Sequence, residues 1–396
     1  MYVLLFALSF TVFFGMSCRR AAASDEAIAE YAARNGDAML KDWLEIIAIP
    51  GKSRQEQRRT EWFKAKFQEA GLEGVTTDDL GNVWGTMKGN PGRETILVTG
   101  HMDSVFADDT PLEPELRDGW IYCPGASDDV PAPLALVWIK KALDAMKTTP
   151  AANLIFLATV QEEIGLKGMK HYLANAKSKP DMVIAVDGQL GDVVAGGLGI
   201  HWHKVYANTP AGHTLHSTGR PSAVKSLALA VTEAYKYQTE QDPVIYLNLG
   251  VIGGGTTENA ICEEAWVTLD MRSADAGALQ KLEEKVFPAM EKAITSSGAA
   301  FRREIVTDIT AAQMPGLDKH RVVQTAVEVL KKLNYGDQKI TYSGATDGNI
   351  SIAMGIPTVS VGIVHGENWH SLKERAKADT FVIGLKQLLM MLERLK

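Results

Sequence analysis

The sequence Thr95-Ile-Leu-Val-Thr-Gly-His-Met-Asp103 runs from an apolar segment into a polar turn. Residues 95–99 are apolar on both faces, which is typical of a strand covered on both sides of a sheet. The same pattern recurs at residues 154–160 and 182–186. Helical patterns separate these strands, so the sequence predicts an α/β domain with a mostly parallel sheet.

The segments around these strands complete the same pattern. Apolar residues at helical spacing predict several helices, and one shorter apolar run predicts a further strand. The predicted helices cover residues 27–47, 54–70, 134–146 and 168–176, and the further strand covers residues 82–87.

A different pattern begins near His201. Predicted strands and helices follow in the order β-α-β-β-α-β, which is the ferredoxin-like arrangement. The strands are predicted at residues 201–207, 245–252, 265–271 and 300–307, and the helices at residues 223–237 and 278–295. We therefore expect residues 201–310 to form a small domain inserted into a larger one.

The α/β pattern resumes after the insertion. It is predicted as a helix at residues 321–333, an apolar segment at residues 358–364 and a helix at residues 381–395. The larger domain is therefore expected to consist of residues 24–200 and residues 311–396.

The N-terminus differs from the rest of the chain. Residues 2–16 are apolar and uncharged, a length typical of the apolar part of a signal peptide and too short for a membrane span. Ala21-Ala22-Ala23 fits a cleavage site, whereas Cys18 fits the lipoprotein pattern poorly and the usual basic start is missing. We predict that residues 1–23 are a signal peptide or lipoprotein leader. The protein is then periplasmic or anchored through a lipid at Cys18; otherwise it is cytoplasmic, with a misassigned start or a simple N-terminal anchor.

Composition narrows the classes of partner. The formal net charge is -7, and 22% of the residues are charged. No basic stripe suggests nucleic acid, so small molecules or peptides are the expected substrates. Cys123 and Cys262 are too few for a disulfide framework or a cysteine zinc site. A bound metal would therefore need histidine and carboxylate ligands.

Polar side chains follow the predicted strands. His101 comes just after the first strand and can bind a metal, and Asp103 can accept its second ring N–H. The alternative is a surface turn that happens to contain histidine. Two glutamates, Glu162 and Glu163, follow the strand at residues 154–160. One could bind a metal and the other act as a base, although an exposed acidic loop is the alternative.

Three further residues occupy similar positions. Asp128 and its neighbour Asp129 precede a predicted helix, where they could instead be N-caps. Asp187 follows the strand at residues 182–186, and His370 follows the apolar segment at residues 358–364. Five residues of types that suit zinc thus stand at five strand ends. These five are His101, Asp128, Glu163, Asp187 and His370.

The chain resembles the co-catalytic zinc metallopeptidases, the family of peptidase T, glutamate carboxypeptidases, aminoacylases, acetylornithine deacetylase and succinyl-diaminopimelate desuccinylase. The matching stretches include Thr99-Gly-His-Met-Asp-Ser-Val105, Gly125-Ala-Ser-Asp-Asp129, Gln161-Glu-Glu-Ile-Gly165, Ser343-Gly-Ala-Thr-Asp-Gly-Asn349 and His370-Ser-Leu-Lys-Glu374. The resemblance implies two zinc ions, with cobalt or manganese as possible substitutes. It also implies a cis peptide bond between Asp128 and Asp129.

The resemblance also implies roles for the residues. His101 and Asp187 would hold one zinc ion, Glu163 and His370 the other, and Asp128 would bridge both. Glu162 would be the general base, and Asp103 would orient His101. The implied activity is hydrolysis of amide bonds by a di-/tripeptidase or carboxypeptidase-like exopeptidase. An N-acyl amino acid deacylase is the alternative, and a catalytically inactive binding homologue is a third possibility.

The remaining implied residues concern the substrate and the partner subunit. His213, or alternatively His216, would reach the active site of the partner subunit and stabilise the oxyanion there as a catalytic residue. The inserted domain would form the homodimer. Arg272 would bind a substrate carboxylate, although a structural salt bridge is equally open. The other expected substrate-binding residues are Asn259, Asp347, Gly348 and Asn349. The sequence departs from the family at Val130-Pro131-Ala132-Pro133 and at Arg375, which concerns the shape of the pocket.

Overall fold

The computed structural model describes residues 24–238 and 245–395. The predicted leader, with Cys18, lies outside these residues. The helices are α1 Asp25–Ile47, α2 Gln57–Glu69, α3 Pro131–Ala145, α4 Lys167–Asn175, α5 Ala223–Tyr235, α6 Ala276–Ser296, α7 Arg321–Leu333, α8 Gly348–Ala353 and α9 Thr380–Arg394. Short 3-10 turns occur at Thr214–His216 and Leu317–Lys319.

The strands begin with a series that builds the larger part of the molecule. These are β1 Glu73–Thr77, β2 Val83–Met87, β3 Thr95–His101, β4 Glu115–Arg117, β5 Trp120–Tyr122, β6 Asn153–Thr159, β7 Met182–Val186 and β8 Val193–Val194. The later strands are β9 Gly199–Asn208, β10 Gly212–His213, β11 Ile245–Gly254, β12 Ala260–Ile261, β13 Glu264–Ser273, β14 Ala300–Ile309, β15 Ile340–Thr341, β16 Thr358–Val361, β17 Gly366–Glu367 and β18 Arg375–Lys377.

An eight-stranded sheet forms the larger layer, in the order β1-β2-β6-β3-β7-β16-β8-β15. The four central strands β6, β3, β7 and β16 are parallel. Helices α1, α3, α7 and α9 supply buried residues to the main core together with these strands. A smaller group of buried side chains includes Leu173 of α4 and Ile350 of α8, together with strand residues of the same sheet. The predicted α/β class with a mostly parallel sheet is therefore confirmed.

A second sheet carries its own core. It is antiparallel, in the order β11-β13-β9-β14, and α5 and α6 pack on it around residues such as Val205, Leu227 and Val286. Its elements follow the predicted order β-α-β-β-α-β along the chain. We call the part of the chain between β9 and β14 the lid. Its two ends are adjacent, because Ile200 of β9 pairs with Ile309 of β14.

Some elements differ from the predictions for physical reasons. β3 extends to His101, because its hydrogen-bonded pairing with β6 continues past the apolar run. α3 begins at Pro131 rather than Leu134, since a proline in the first helical turn lacks only an N–H that has no partner there. Short strands such as β4 and β18 were not predicted. In the described residues, no helix has the length and apolar character needed to span a membrane.

Candidate metal centre

The parallel strands bring the candidate residues together. β6, β3 and β7 are neighbours in one sheet and point the same way, so their carboxyl ends meet at one edge. His101 ends β3, Glu162 and Glu163 follow β6, and Asp187 follows β7. The edge therefore collects an imidazole and three carboxylates from sequence positions far apart.

His101 is 2% exposed and is held at both ring nitrogens. Nδ1 lies 3.2 Å from the backbone oxygen of Asp103 and 3.4 Å from its Oδ1. Nε2 lies 3.1 Å from Oδ1 of Asp128. The contact at Nδ1 fixes the ring orientation, which leaves Nε2 directed into the cluster.

Asp103 lies behind the cluster and is fully buried. Its carboxylate accepts hydrogen bonds from the backbone N–H groups of Glu162 at 3.0 Å and Glu163 at 3.3 Å. The hydroxyl of Ser53 donates a third at 2.7 Å. Asp103 therefore positions both glutamates as well as His101.

The two oxygens of Asp128 face two different histidines. Oδ1 lies 3.1 Å from His101, and Oδ2 lies 3.0 Å from Nε2 of His370. The helix cap considered from the sequence is not observed, since Val130 is the N-cap residue of α3 and no side chain caps it. The peptide bond between Asp128 and Asp129 is cis, as the resemblance implies. Asp128 therefore lies between the two histidines, with one oxygen toward each.

Glu163 closes the other side of the cluster. Its Oε2 lies 3.3 Å from Nε2 of His370. Its Oε1 is buried and has no hydrogen-bond partner among the described residues. An unpaired buried carboxylate oxygen is costly, so this atom is suited to a ligand that supplies positive charge.

Glu162 and Asp187 form a second group with His101, whose potential ligand atoms all lie within 4.8 Å of one another. Burial raises the pKa of the Glu162 carboxyl well above its usual range. Burial likewise raises the pKa of Asp187 to about 8. Neighbouring carboxylates add to both shifts, and the charge of His101 opposes them.

Hydrogen bonds shift the pKa values of Asp128 and His370 in the directions that favour their charged forms. Although burial acts against ionisation, contacts with His101 and His370 hold the pKa of Asp128 well below its usual range. Hydrogen bonds to Asp128 and Glu163 raise the pKa of His370 to about 10. The cluster therefore attracts positive charge, either as protons on histidine or as metal ions.

The donor set fits zinc. Tetrahedral zinc with bonds of about 2.0–2.2 Å sets its ligand atoms roughly 3.3–3.6 Å apart. The observed separations around Asp128 and His370 are slightly shorter, at 3.0 to 3.3 Å, so the fit rests on the kinds of donor atom. The buried Glu163 oxygen without a hydrogen-bond partner in the described part of the chain and the excess of buried carboxylates likewise favour a bound cation.

Glu374 was matched in the sequence as part of a motif but was given no role. It is 1% exposed. Its Oε1 accepts hydrogen bonds from the backbone N–H of Ser127 at 2.8 Å, the Ser127 hydroxyl at 2.7 Å and the Asp128 N–H at 3.1 Å. Its Oε2 accepts one from the Gly125 N–H at 2.9 Å. Glu374 thus holds the loop that presents Asp128.

The segment that precedes α8 lies against the cluster. Asp347 is buried, and its Oδ2 accepts a hydrogen bond of 2.6 Å from the Thr159 hydroxyl. Burial raises the pKa of Asp347 to about 6, and the charge of His101 opposes this shift. Its Oδ1 has no partner among the described residues.

The neighbours of Asp347 contact backbone. The Gly348 N–H donates to the Thr346 hydroxyl at 3.1 Å. The Asn349 side chain accepts from the Thr346 N–H at 3.2 Å and donates to the backbone oxygen of Leu198 at 3.0 Å. A Cβ atom on Gly197 would lie only 2.2 Å from Oδ1 of Asn349, so glycine is required there. Asn349 therefore packs against the chain that leads into the lid.

The expected lid residues have contacts within the lid. The exposed His213 accepts a hydrogen bond from the Leu215 N–H at 3.2 Å, and His216 lies beside its ring. The backbone oxygen of Asn259 accepts from the Thr214 N–H at 3.1 Å. The structure therefore places His213 and Asn259 next to one another across β10 and β12.

Arg272 forms the salt bridge that the sequence left open. Its Nε lies 2.9 Å from Oδ1 and 3.0 Å from Oδ2 of Asp270. Trp202 also donates to Oδ1 of Asp270, at 2.9 Å. Within the described residues, the terminal nitrogens of Arg272 make no hydrogen bond, so the salt bridge leaves them available.

A cleft separates the lid from the larger domain beside the cluster. Its volume is about 490 Å³. Glu163 opens onto it from one side, and Trp202, Val306 and Thr307 of the lid sheet line the other. The candidate centre is therefore reached through an opening between the two parts of the chain.

A second histidine cluster lies within the lid. Nδ1 of His201 and Nε2 of His203 lie 2.7 and 2.8 Å from the same oxygen of Glu283. These are ordinary hydrogen-bond lengths, so Glu283 of α6 holds two histidines of β9.

The family model described as peptidase family M20/M25/M40 matches residues 97–394. The protein YqjE of Bacillus subtilis (strain 168) is 24% identical over 383 residues, covering 91% of this chain and 98% of that protein. The succinyl-diaminopimelate desuccinylase of Corynebacterium glutamicum is 26% identical over 334 residues, covering 80% and 86%. A tripeptidase structure from Staphylococcus aureus subsp. aureus Mu50 has a TM-score of 0.79 at 23% identity, covering 91% and 98%. These matches confirm the resemblance inferred from the motifs.

Proposed function

The chain belongs to peptidase family M20/M25/M40, and on that premise we propose that it cleaves amide bonds in small peptides with two zinc ions. Membership in this family makes it a metal-dependent hydrolase. The activity we propose is that of a di-/tripeptidase or a carboxypeptidase-like exopeptidase. Peptidases among the similar structures, including the tripeptidase, support this choice.

The arrangement around Asp128 carries the proposal. Its two oxygens face His101 and His370 separately, at 3.1 and 3.0 Å. Asp187 lies near His101, and Glu163 lies near His370. We therefore assign His101 and Asp187 to one zinc ion, Glu163 and His370 to the other, and Asp128 to both.

Zinc in such a site lowers the pKa of water and polarises a carbonyl oxygen. Glu162 is the group of this chain that moves the proton. It lies in the same cluster as His101 and Asp187, and its raised pKa suits a carboxylate that accepts a proton from attacking water and passes it to the leaving amine. Asp103 holds the Glu162 backbone in place.

The lid supplies the remaining groups in this proposal. Arg272, oriented by Asp270 through Nε, offers its terminal nitrogens to a substrate carboxylate. His213 and Asn259, adjacent on the lid, contact the substrate of a neighbouring subunit. Asp347, Gly348 and Asn349 shape the wall beside the metal ions.

A homodimer through the lid is part of the same proposal. β11 is an edge strand of the lid sheet, and an edge strand offers unpaired backbone groups to a second chain. Apolar side chains are exposed on β11 and on the neighbouring α5. These are Tyr246, Val251 and Ile252 on β11, and Val224, Leu229 and Tyr235 on α5.

An N-acyl amino acid deacylase is the second candidate. The similarity to a succinyl-diaminopimelate desuccinylase over 80% of this chain favours it. An inactive binding homologue is disfavoured, because the candidate ligands and Glu162 are all present. Export through a leader at residues 1–23, with a lipid at Cys18, stays a prediction.

A substrate panel tests the proposal. Purified protein loaded with zinc is assayed against di- and tripeptides and against N-acetyl and N-succinyl amino acids. We expect turnover of the peptides. Turnover of the acylated amino acids alone would establish the deacylase instead, and turnover of neither set would reject both.

A further inference from the structure

The lining of the cleft beside the candidate metal centre is partly apolar and partly cationic. Its apolar residues come from both sides, with Val105 and Ile164 on the larger domain and Val306 and Trp202 on the lid sheet. Three cationic residues line the same cleft, namely Lys52, Arg54 and Lys167. Glu163 is the acidic residue among its lining groups, and its Oε2 is turned toward His370.

The three cations have no carboxylate to neutralise them. In residues 24–238 and 245–395, none of their side chains forms an ion pair or a hydrogen bond. Lys52 and Arg54 are exposed, whereas Lys167 is half-buried at the start of α4. Burial together with the charge of Arg54 lowers the pKa of Lys167. Positive charge is thus concentrated beside the metal centre.

The backbone N–H groups at the start of α4 are not available to bind an anion in the cleft. The first N–H groups of α4, from Lys167 and Gly168, donate to the backbone oxygens of Gln161 and Val160. An anion in the cleft would therefore be bound by the three side chains. Their spread around one cleft suits a carboxylate that several donors share.

We propose that the cleft is a substrate subsite in which Lys52, Arg54 and Lys167 bind a carboxylate carried by the peptide. The inference rests on the proposed function and names its substrate class: peptides with a carboxylate on an apolar stem. The apolar side chains that line the cleft contact the methylene groups of that stem, and the cations bind its end. Such a carboxylate comes from a glutamate side chain or from the peptide C-terminus.

The test compares matched peptides on zinc-loaded protein. The side-chain comparison uses Glu-Leu against Gln-Leu and Leu-Glu against Leu-Gln. The terminal comparison uses Leu-Gln against its C-terminal amide. Partly exposed charge pairs of this kind support roughly a two- to fivefold preference in kcat/KM for the carboxylate-bearing member.

A combined variant then removes the cations. In the triple variant Lys52→Gln, Arg54→Gln, Lys167→Gln, the ratio of kcat/KM values should fall to near one in one of the two comparisons. The comparison that responds shows whether the bound carboxylate is the glutamate side chain or the peptide C-terminus. A matched control, Lys41→Gln, Lys285→Gln, Lys331→Gln, removes the same charge from exposed helix positions and should keep the preference. If neither preference responds to the cleft variant, the subsite is rejected and the peptidase stands.

A binding measurement separates this inference from the proposed function. Calorimetry on zinc-loaded protein compares glutarate, which has two carboxylates, with butyrate, which has one. Glutarate should bind about two- to fivefold more tightly, and the cleft variant should lose that difference while the control keeps it. Absence of any peptide turnover would reject the proposed function, whereas equal binding of the two acids would reject the subsite.

Discussion

The carboxylate of Asp103 accepts a hydrogen bond of 3.0 Å from the backbone N–H of Glu162. The other two hydrogen bonds to this carboxylate also come from donors, the Ser53 hydroxyl and the Glu163 N–H. Asp103→Asn would turn an amide NH₂ toward one of these donors. We expect a loss of about 1–3 kcal/mol in the free energy of unfolding and roughly a 10–100-fold loss of zinc affinity or kcat/KM.

Urea unfolding and metal titration measure these two effects. Asp109→Asn, at an exposed position in the following loop, is the matched control and should change neither. Normal zinc affinity and activity in Asp103→Asn would remove the positioning role assigned to this residue.

Glu162 is expected to move the proton without holding the metal. Glu162→Gln should lower kcat by about 10²–10⁴-fold, because the amide cannot accept the proton of the attacking water. Zinc content, measured by elemental analysis, should stay at the wild-type value. Glu61→Gln, an exposed glutamate on α2, should keep full activity. An active Glu162→Gln enzyme would show that another group is the base.

Asp128 is expected to serve both zinc ions, whereas His370 serves one. Asp128→Ala should therefore release two zinc ions per chain, and His370→Ala only one, when metal content is measured after dialysis. Chelation of the wild-type protein should abolish turnover, and added zinc should restore it. Equal zinc loss in the two variants would contradict the bridging assignment.

Glu374 is expected to act through the Asp128 loop. Glu374→Gln removes one acceptor oxygen from a site where four donors converge. We predict roughly a 10–100-fold fall in zinc affinity, followed by titration with a fluorescent zinc indicator. Glu113→Gln provides an exposed control. Unaltered zinc affinity would mean that the loop keeps its shape without this carboxylate.

The lid should lose stability at high pH. The hydrogen bond to the Glu283 carboxylate raises the pKa of His201 above its usual 6.5. That stabilisation is complete below pH 6.5 and is lost as the pH rises through the folded value. Although burial opposes it, hydrogen bonding to His201 and His203 lowers the pKa of Glu283 to about 2. This contribution is present above the usual pKa of 4.5 and is lost as the pH falls toward 2.

His201 and Glu283 therefore contribute most to the free energy of unfolding between pH 4.5 and 6.5. His201→Asn should destabilise the protein by about 1 kcal/mol at pH 5.5 and by less at pH 9. Urea unfolding at the two pH values measures this difference. His216→Asn, an exposed histidine in the same lid, should show no pH-dependent effect. A larger loss at pH 9 would reverse the assignment.

The central strands could be predicted because burial on both faces leaves a continuous apolar run. β7 was predicted with its observed limits, Met182–Val186. The end of β3 could not, since residues Gly100 and His101 are paired by their backbone with β6 and not selected for apolarity. Short strands such as β4 and β18 arise from pairing with β5 across the chain, which leaves no local pattern.

The candidate site, like the fold, could be predicted from the sequence only in part. The motif positions identified the residues, but their mutual distances depend on strand order, which the local sequence does not specify. Glu374 illustrates this, because its partners near Ser127 are almost 250 residues away along the chain. The cations of the cleft, Lys52, Arg54 and Lys167, belong to two separate segments and form no sequence motif.

The two chain segments that connect the lid to the larger domain run side by side. Gly197 and Ala312 exchange backbone hydrogen bonds of 2.7 and 3.0 Å, just outside the paired strands β9 and β14. A segment whose ends touch can be lost, gained or exchanged during evolution without breaking the parallel sheet. The lid and the strands that carry the candidate metal ligands are thereby encoded in separable stretches of the gene, so recombination can alter one without changing the other.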